Sequence, residues 1–237
     1  MALPARRTYG LPWLVAAAVV PAAVWQLPFG QYAMLPFSVL ATWFHEMGHG
    51  VTALVLGGSF HQVLLFPNGS GLTSTSGVHG GRLGAALVAA GGLMGPPVAG
   101  FALLAFSRRP APVRAALAFL GAVMLLSAAL WVRTVYGAVM VTLIGAGVLL
   151  AAWRAADDWR AFLLKVIGVQ ACIASFRSRH YMFSSQAVIN GGMMHSDTAA
   201  IAKDLFLPYW FWGGVLFAAT LGLLAAGVYA AVKAEKD

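Results

Sequence analysis

The sequence predicts an all-α polytopic membrane protein with about six to seven transmembrane helices and one short β-hairpin. Of its 237 residues, 60% are hydrophobic and only 9% are charged, whereas a soluble domain carries about 25% charged residues. The apolar residues fall in repeated runs of about 20, the length that crosses a bilayer as a helix. Because no long polar insert separates these runs, residues 1–237 are expected to form a single membrane-embedded domain.

Successive apolar runs are the candidates for these helices. They cover approximately residues 11–27, 34–56, 83–106, 113–132, 135–153, 161–176 and 208–232. The first run, which follows Arg6 and Arg7, would also fit a signal peptide. The third run contains Gly95-Pro96-Pro97, and prolines inside a helix are expected to kink or break it.

A short β-hairpin is expected directly after the second run. Residues 60–77 follow it through Gly57-Gly58-Ser59 and are rich in Val, Leu, Phe and Thr, with Pro67-Asn68-Gly69 in their middle. This pattern predicts two short strands around a turn. Residues 177–204 form the longest polar stretch of the chain.

The distribution of charge indicates a lipid bilayer as partner and no nucleic acid. The formal net charge is +8, but the basic residues stand at the ends of apolar runs, where they would lie beside lipid headgroups. Arg6 and Arg7 give a slight preference for a cytoplasmic N-terminus. Cys172, the single cysteine, lies inside an apolar run and is expected to be a small buried hydrophobe.

The second run carries the motif that predicts chemistry, His45-Glu46-Met47-Gly48-His49. Residues four apart lie on the same face of a helix, so His45 and His49 can bind one ion. A catalytic zinc takes three protein ligands and a water, and Glu46 is placed to accept a proton from that water. Two alternatives remain at this stage: a buried polar cluster that holds helices together, and a haem-binding histidine.

The third ligand must come from elsewhere in the chain. The candidates are Asp157, Asp158, Asp197, Asp204, His61, His79, His180 and His195. Asp197 is favoured because it follows the glycine-rich Asn190-Gly191-Gly192 and precedes a helix-like segment. An aspartate at such a position could equally cap the helix.

Several short motifs together resemble the site-2 protease family of intramembrane zinc metallopeptidases, and most closely its small bacterial B-like branch. The resemblance covers nearly the whole chain. It rests on Phe44-His45-Glu46-Met47-Gly48-His49-Gly50, Leu56-Gly57-Gly58, Phe66-Pro67-Asn68-Gly69-Ser70-Gly71, Gly91-Gly92-Leu93-Met94-Gly95-Pro96, Gly168-Val169-Gln170 and Ser196-Asp197-Thr198-Ala199-Ala200-Ile201-Ala202.

The resemblance implies that His45 and His49 ligate Zn²⁺, that Glu46 is the catalytic base, and that Asp197 completes the site. In better-known members the third ligand is the aspartate of a Leu-Asp-Gly motif, which this chain lacks. Their Gly-Pro-x-x-Asn element is also altered, because Ala99 stands where they have the asparagine. The resemblance further implies a multi-pass protein of the bacterial cytoplasmic membrane.

The expected function is hydrolysis of peptide bonds in a membrane protein or peptide substrate. A helical substrate hides its peptide bonds, so the hairpin is expected to hold it in extended form as an added strand. The residues expected to contact substrate are Phe60, His61, Asn68 and Asn190. Oxyanion stabilisation is left open between Asn190, His195 and a backbone N–H. The rival functions are a non-catalytic membrane binding or regulatory protein that retains the metal site, and a transporter with broken helices.

Overall fold

A computed structural model describes residues 11–107, 110–177 and 179–233. Helices dominate these ranges, and two short hairpins interrupt them. In chain order the elements are α1 (Leu11–Trp25), α2 (Gly30–Ala33), α3 (Leu35–Val55), β1 (Ser59–Leu65), β2 (Gly71–Ser76), α4 (Gly81–Phe106), α5 (Pro110–Leu130), α6 (Val135–Arg154), α7 (Asp157–Arg177), α8 (Arg179–Met182), β3 (Gln186–Ile189), β4 (Gly192–His195), α9 (Asp197–Asp204) and α10 (Tyr209–Lys233).

Five helices in the described ranges are long and apolar enough to cross a membrane: α4, α5, α6, α7 and α10. Helix α1 is a shorter apolar helix. Helix α3 has 21 residues but is not among the five, because two histidines and a glutamate reduce its hydropathy. The predicted fold class is therefore confirmed, and the protein is an integral, multi-pass membrane protein. Arg6 and Arg7, on which the predicted orientation depends, lie outside the described residues.

Helix α4 runs without interruption through Pro96 and Pro97, so the prolines do not break it, and a kink at this point stays a prediction. The glycines of this region instead allow close packing against α3. A Cβ atom on Gly48 would lie 2.2 Å from the carbonyl oxygen of Gly91, and one on Gly95 would lie 2.3 Å from that of Phe44. Because the two backbones touch, tertiary packing holds α4 together across its prolines.

Helix α3 is fixed in the core by its large apolar side chains. Trp43, Phe44 and Met47 are buried in the main hydrophobic cluster, which also includes residues of α5, α6 and α7. The indole N–H of Trp43 donates a hydrogen bond to Ser127 Oγ at 2.9 Å. This anchoring fixes the rotation of α3 about its axis and therefore the direction in which its histidines point.

The predicted hairpin after α3 is confirmed. Strands β1 and β2 are antiparallel, and the turn between them contains Asn68 and Gly69. On its other side β1 bonds to the α5–α6 connection: the N–H of Val63 donates to Trp131 O at 2.8 Å, and the N–H of Arg133 donates to Val63 O at 3.0 Å. Among the described strands, β2 pairs only with β1.

A second hairpin, β3–β4, lies in the polar stretch where no strand was predicted. Its turn is formed by Asn190, with φ 48°, and Gly191, with φ 83°. Two positive φ angles in a two-residue turn are typical of type I′, for which Asn-Gly is the strongest short sequence signal. The Asn190-Gly191 pair therefore carried information that could have predicted these strands.

Candidate active site

Three side chains from two distant parts of the chain converge at one point. His45 and His49 project from α3, and Asp197 is the first residue of α9. His45 Nε2 lies 3.2 Å from His49 Nε2 and 3.0 Å from Asp197 Oδ2, and His49 Nε2 lies 3.5 Å from Asp197 Oδ1. The chain thus brings together the two histidines of the motif and the aspartate that the sequence favoured.

This arrangement fits a tetrahedral zinc ion. Two nitrogen donors at the usual Zn–N distance of about 2.0–2.1 Å, bound to a tetrahedral ion, lie about 3.3 Å from each other. The separations between ligand atoms in the cluster are 3.2, 3.0 and 3.5 Å. Two imidazoles and a carboxylate are also a donor set that catalytic zinc sites use.

The surroundings of His49 orient its ring towards the cluster. Its Nδ1 lies 2.8 Å from the carbonyl oxygen of Val88 on α4, which calls for a proton on Nδ1 and leaves the lone pair of Nε2 free for a metal. Such hydrogen bonds to the second nitrogen are usual for metal-binding histidines. Gly92 makes room for the ring, because a Cβ atom there would lie 2.1 Å from His49 Nε2.

Asp197 is held at the start of α9 but does not cap it. The N-cap is Ser196, whose Oγ accepts a hydrogen bond from the N–H of Ala199 at 3.2 Å. The carboxylate of Asp197 is thereby left to face the histidines, so the alternative of an aspartate N-cap is wrong. Burial alone would raise the pKa of Asp197, but the neighbouring His49 and His45 outweigh burial and hold that pKa below its ordinary value.

Several of the other candidates for a third ligand lie away from the cluster. Asp157 pairs with Arg160 at 2.6 Å, and Asp204 lies 3.9 Å from the guanidinium of Arg82. His61 Nε2 is 2.6 Å from Ser76 Oγ on the exposed side of the first hairpin. Within the described residues, the cluster formed by His45, His49 and Asp197 is the one group of three such side chains close enough to hold a metal ion.

Glu46 lies beside this cluster and is 3% exposed. The hydroxyl of Thr73 on β2 donates to Glu46 Oε2 at 2.8 Å and lies 3.0 Å from the backbone carbonyl oxygen of the same residue. Gly71 provides the space for the carboxylate, since a Cβ atom there would lie 2.4 Å from Glu46 Oε1. Strand β2 therefore packs directly on the glutamate and fixes its orientation.

A cavity of about 900 Å³ opens onto the cluster. Its wall is formed by the cluster and Glu46 together with residues of β2, β3 and α8. These include Gly71, Leu72, Thr73 and Thr75 of β2, Ala187, Val188 and Ile189 of β3, and Tyr181 of α8. The first hairpin thus borders the cavity. The cavity is large enough for a short extended stretch of polypeptide.

Of the four residues expected to contact substrate, only Asn68 lines this cavity. Phe60 is 8% exposed. Its ring stacks on Trp131 at 4.6 Å and covers Gly50 of α3, so it belongs to the core. His61 lies on the exposed side of β1. Asn190 stands at the tip of the second hairpin, where its N–H donates to Ser70 Oγ at 3.3 Å.

Thr73 and Tyr181 are residues of the site that the sequence analysis missed. No local pattern marks either of them. Thr73 occupies an ordinary strand position, and Tyr181 lies in an irregular polar segment. Their places beside Glu46 and Asp197 follow from the packing of β2 against α3 and of α8 against α7 and α10.

The fold and the cluster together define a class of protein: a multi-pass membrane protein with a His-Glu-x-x-His motif that faces an internal cavity. A model of the Peptidase M50B-like family matches residues 14–227, which is most of the chain. The chain therefore belongs to the Peptidase M50B-like family, a family of membrane-embedded metallopeptidases within the site-2 proteases for which zinc is characteristic. No curated protein and no solved structure matches the chain.

Proposed function

We propose that this protein is an intramembrane zinc metallopeptidase that hydrolyses peptide bonds of membrane-associated protein substrates. The observation that carries the proposal is the position of Glu46 beside the His45, His49 and Asp197 cluster, on a cavity inside a multi-pass fold. A buried polar cluster with a purely structural role would have no need of an adjacent cavity or of a carboxylate held apart from the other three side chains.

Each side chain has a distinct task in this mechanism. His45, His49 and Asp197 would hold a zinc ion, which would polarise a carbonyl group and lower the pKa of a water to about 7. Glu46 accepts the proton of the attacking water and delivers it to the leaving amine nitrogen as the C–N bond breaks. Thr73 keeps the Glu46 carboxylate in position for both transfers.

The substrate is bound in an extended form along β2. Residues 71–73 of this strand are consecutive, yet all line the cavity. Successive side chains of a strand point to opposite faces, so consecutive lining residues indicate that the strand presents its edge. An unpaired edge can accept a further strand through backbone hydrogen bonds, and such pairing would expose a peptide bond next to Glu46.

Photo-crosslinking tests this binding mode. With the Glu46→Gln protein, a photoreactive residue at Leu72 or Thr75, both on the cavity wall, is expected to capture a single-span peptide. The same residue at Ser74, which is exposed and on the same strand, is the matched control and is expected to capture little. Equal capture at Ser74 and Leu72, or none at Leu72 and Thr75, would show that β2 does not hold the substrate.

The two rival functions have less support. The transporter alternative depended on broken helices near residues 91–97, and α4 is continuous there. A non-catalytic binding protein would need the metal ligands but would gain nothing from a glutamate fixed by Thr73. Cleavage by the wild-type protein is therefore the observation that separates it from the protease.

Hydrolysis can be measured with the purified protein in lipid nanodiscs. The probes are synthetic single-span peptides whose apolar segments contain a central Asn-Gly or Gly-Pro pair, which weakens the helix. Mass spectrometry is expected to find two fragments whose masses add up to the mass of the peptide plus one water. A zinc chelator should stop the reaction, and added Zn²⁺ should restore it. Cleavage that persists at full rate after complete removal of zinc would refute the proposed mechanism.

A further inference from the structure

Tyr181 lies at the wall of the cavity, next to the metal-binding cluster. It belongs to α8, the short helix that precedes the second hairpin. Its hydroxyl oxygen accepts a hydrogen bond from the backbone N–H of Asp197 at 3.3 Å. The ring centroid is 6.0 Å from that of His45, with the two planes at 80°. The phenol is thus held against two of the three residues of the cluster.

Peptide hydrolysis is accelerated by a hydrogen-bond donor close to the carbonyl oxygen of the scissile bond. When water adds to the scissile carbonyl, the oxygen gains negative charge, and a hydrogen bond that strengthens at that moment accelerates the reaction. Asn190 does not line the cavity, and its backbone N–H is already donated to Ser70.

Two of the other hydroxyl groups on the cavity wall are already engaged. Thr73 donates to Glu46, and Thr42 donates to the carbonyl oxygen of Gly69 at 2.9 Å. The hydroxyl of Tyr181 uses a lone pair to accept from the backbone N–H of Asp197, and its proton can be donated either to the Asp197 carboxylate or to a bound substrate. If the proton is donated to the Asp197 carboxylate, Tyr181 has a different role: it positions Asp197 and does not act on the substrate.

We propose that the Tyr181 hydroxyl donates a hydrogen bond to the carbonyl oxygen of the scissile peptide bond and stabilises the negative charge that this oxygen gains. The inference rests on the proposed peptidase function. Water adds to the carbonyl carbon, the C–N bond breaks, and the proton passes through Glu46 to the amine. Tyr181 keeps its own proton throughout and contributes only the hydrogen bond.

Tyr181→Phe removes the donor and retains the ring. In nanodiscs with the single-span peptide, kcat is expected to fall about 10²–10³-fold, as for other losses of one oxyanion donor, with KM and zinc content unchanged. The control is Tyr209→Phe, which removes a hydroxyl from a half-buried tyrosine that does not line the cavity and should leave kcat unchanged. A phosphinic peptide, which mimics the tetrahedral state, should bind the Tyr181→Phe protein more weakly by a similar factor, whereas the ordinary peptide should not.

Three results would overturn the inference. One is an unchanged kcat in Tyr181→Phe. Another is a reduced zinc content together with a kcat that recovers at saturating Zn²⁺, which would make Tyr181 a positioning residue for Asp197. The third is equal weakening of the phosphinic and ordinary peptides. If Tyr181→Phe does not fold, a difluorotyrosine at position 181 keeps the packing of the ring. The inference then requires that the kcat of this protein differ from that of wild type at equal zinc content. Failure of the peptidase function itself is distinguishable, because wild type would then cleave no peptide.

Discussion

Glu46→Gln is expected to retain zinc and to abolish peptide cleavage. Glutamine keeps the size of the side chain, and its amide oxygen can still accept the hydrogen bond from Thr73, so the cavity is preserved. It cannot take the proton of the attacking water, and loss of a general base typically costs about 10²–10⁴-fold or more in rate. The rate of single-span peptide cleavage and the zinc content of the same preparation check this result.

The matched control is Asp204→Asn, which makes the same acid-to-amide change at a carboxylate near the start of the last spanning helix. Its side chain lies near Arg82 and outside the cavity wall, so cleavage should continue at the wild-type rate. Undiminished proteolysis by the Glu46→Gln protein would show that another group is the base. Loss of zinc from Glu46→Gln would instead indicate that Glu46 acts on the metal site.

His45→Ala, His49→Ala and Asp197→Ala are each expected to lose zinc and activity together. The wild-type protein should contain about one zinc per chain. Removal of a hydrogen-bonding partner of a ligand already costs about 10–100-fold in metal affinity, so removal of a ligand itself should cost more. Elemental analysis and competition with a chelator of known affinity measure the effect. Restoration of the Asp197→Ala protein to wild-type zinc content would contradict the proposed ligand set.

Asp157→Ala and Asp158→Ala serve as controls for Asp197→Ala, because they remove carboxylates from the start of α7, away from the cluster. Neither is expected to change zinc content or cleavage. A metal-bound structure in which His195 replaces Asp197 as the third ligand would also refute the assignment. His195 is the informative alternative because it lines the same cavity.

The local features of this protein could be predicted from its sequence. The spanning helices follow from apolar runs of about 20 residues, because in lipid a backbone can satisfy its own hydrogen bonds only as a helix or a closed barrel. His45 and His49 meet because a helix turns once in 3.6 residues. The first hairpin follows from strand-forming residues around Pro67-Asn68-Gly69. The second hairpin could also have been predicted, from its turn residues Asn190-Gly191.

Contacts between distant parts of the chain were decided by the tertiary structure. The sequence favoured Asp197 over the other acidic residues and histidines as the third ligand. It did not distinguish this role from that of a helix N-cap. That choice depends on Ser196 occupying the N-cap and on α9 packing against α4. Phe60 was expected at the substrate and lies in the core, because Gly50 and Trp131 form a slot for its ring.

The continuity of α4 has a similar origin. Prolines in sequence indicate the loss of backbone hydrogen bonds but not whether packing compensates for it, and here the glycines of α3 and α4 bring the two backbones into contact. Other contacts between distant parts of the chain place β2 on Glu46 and Tyr181 next to Asp197. Local periodicity determines which face of a helix a residue occupies, whereas the identity of its partner depends on how the helices assemble, and for that reason Thr73 and Tyr181 were identified only in the folded chain.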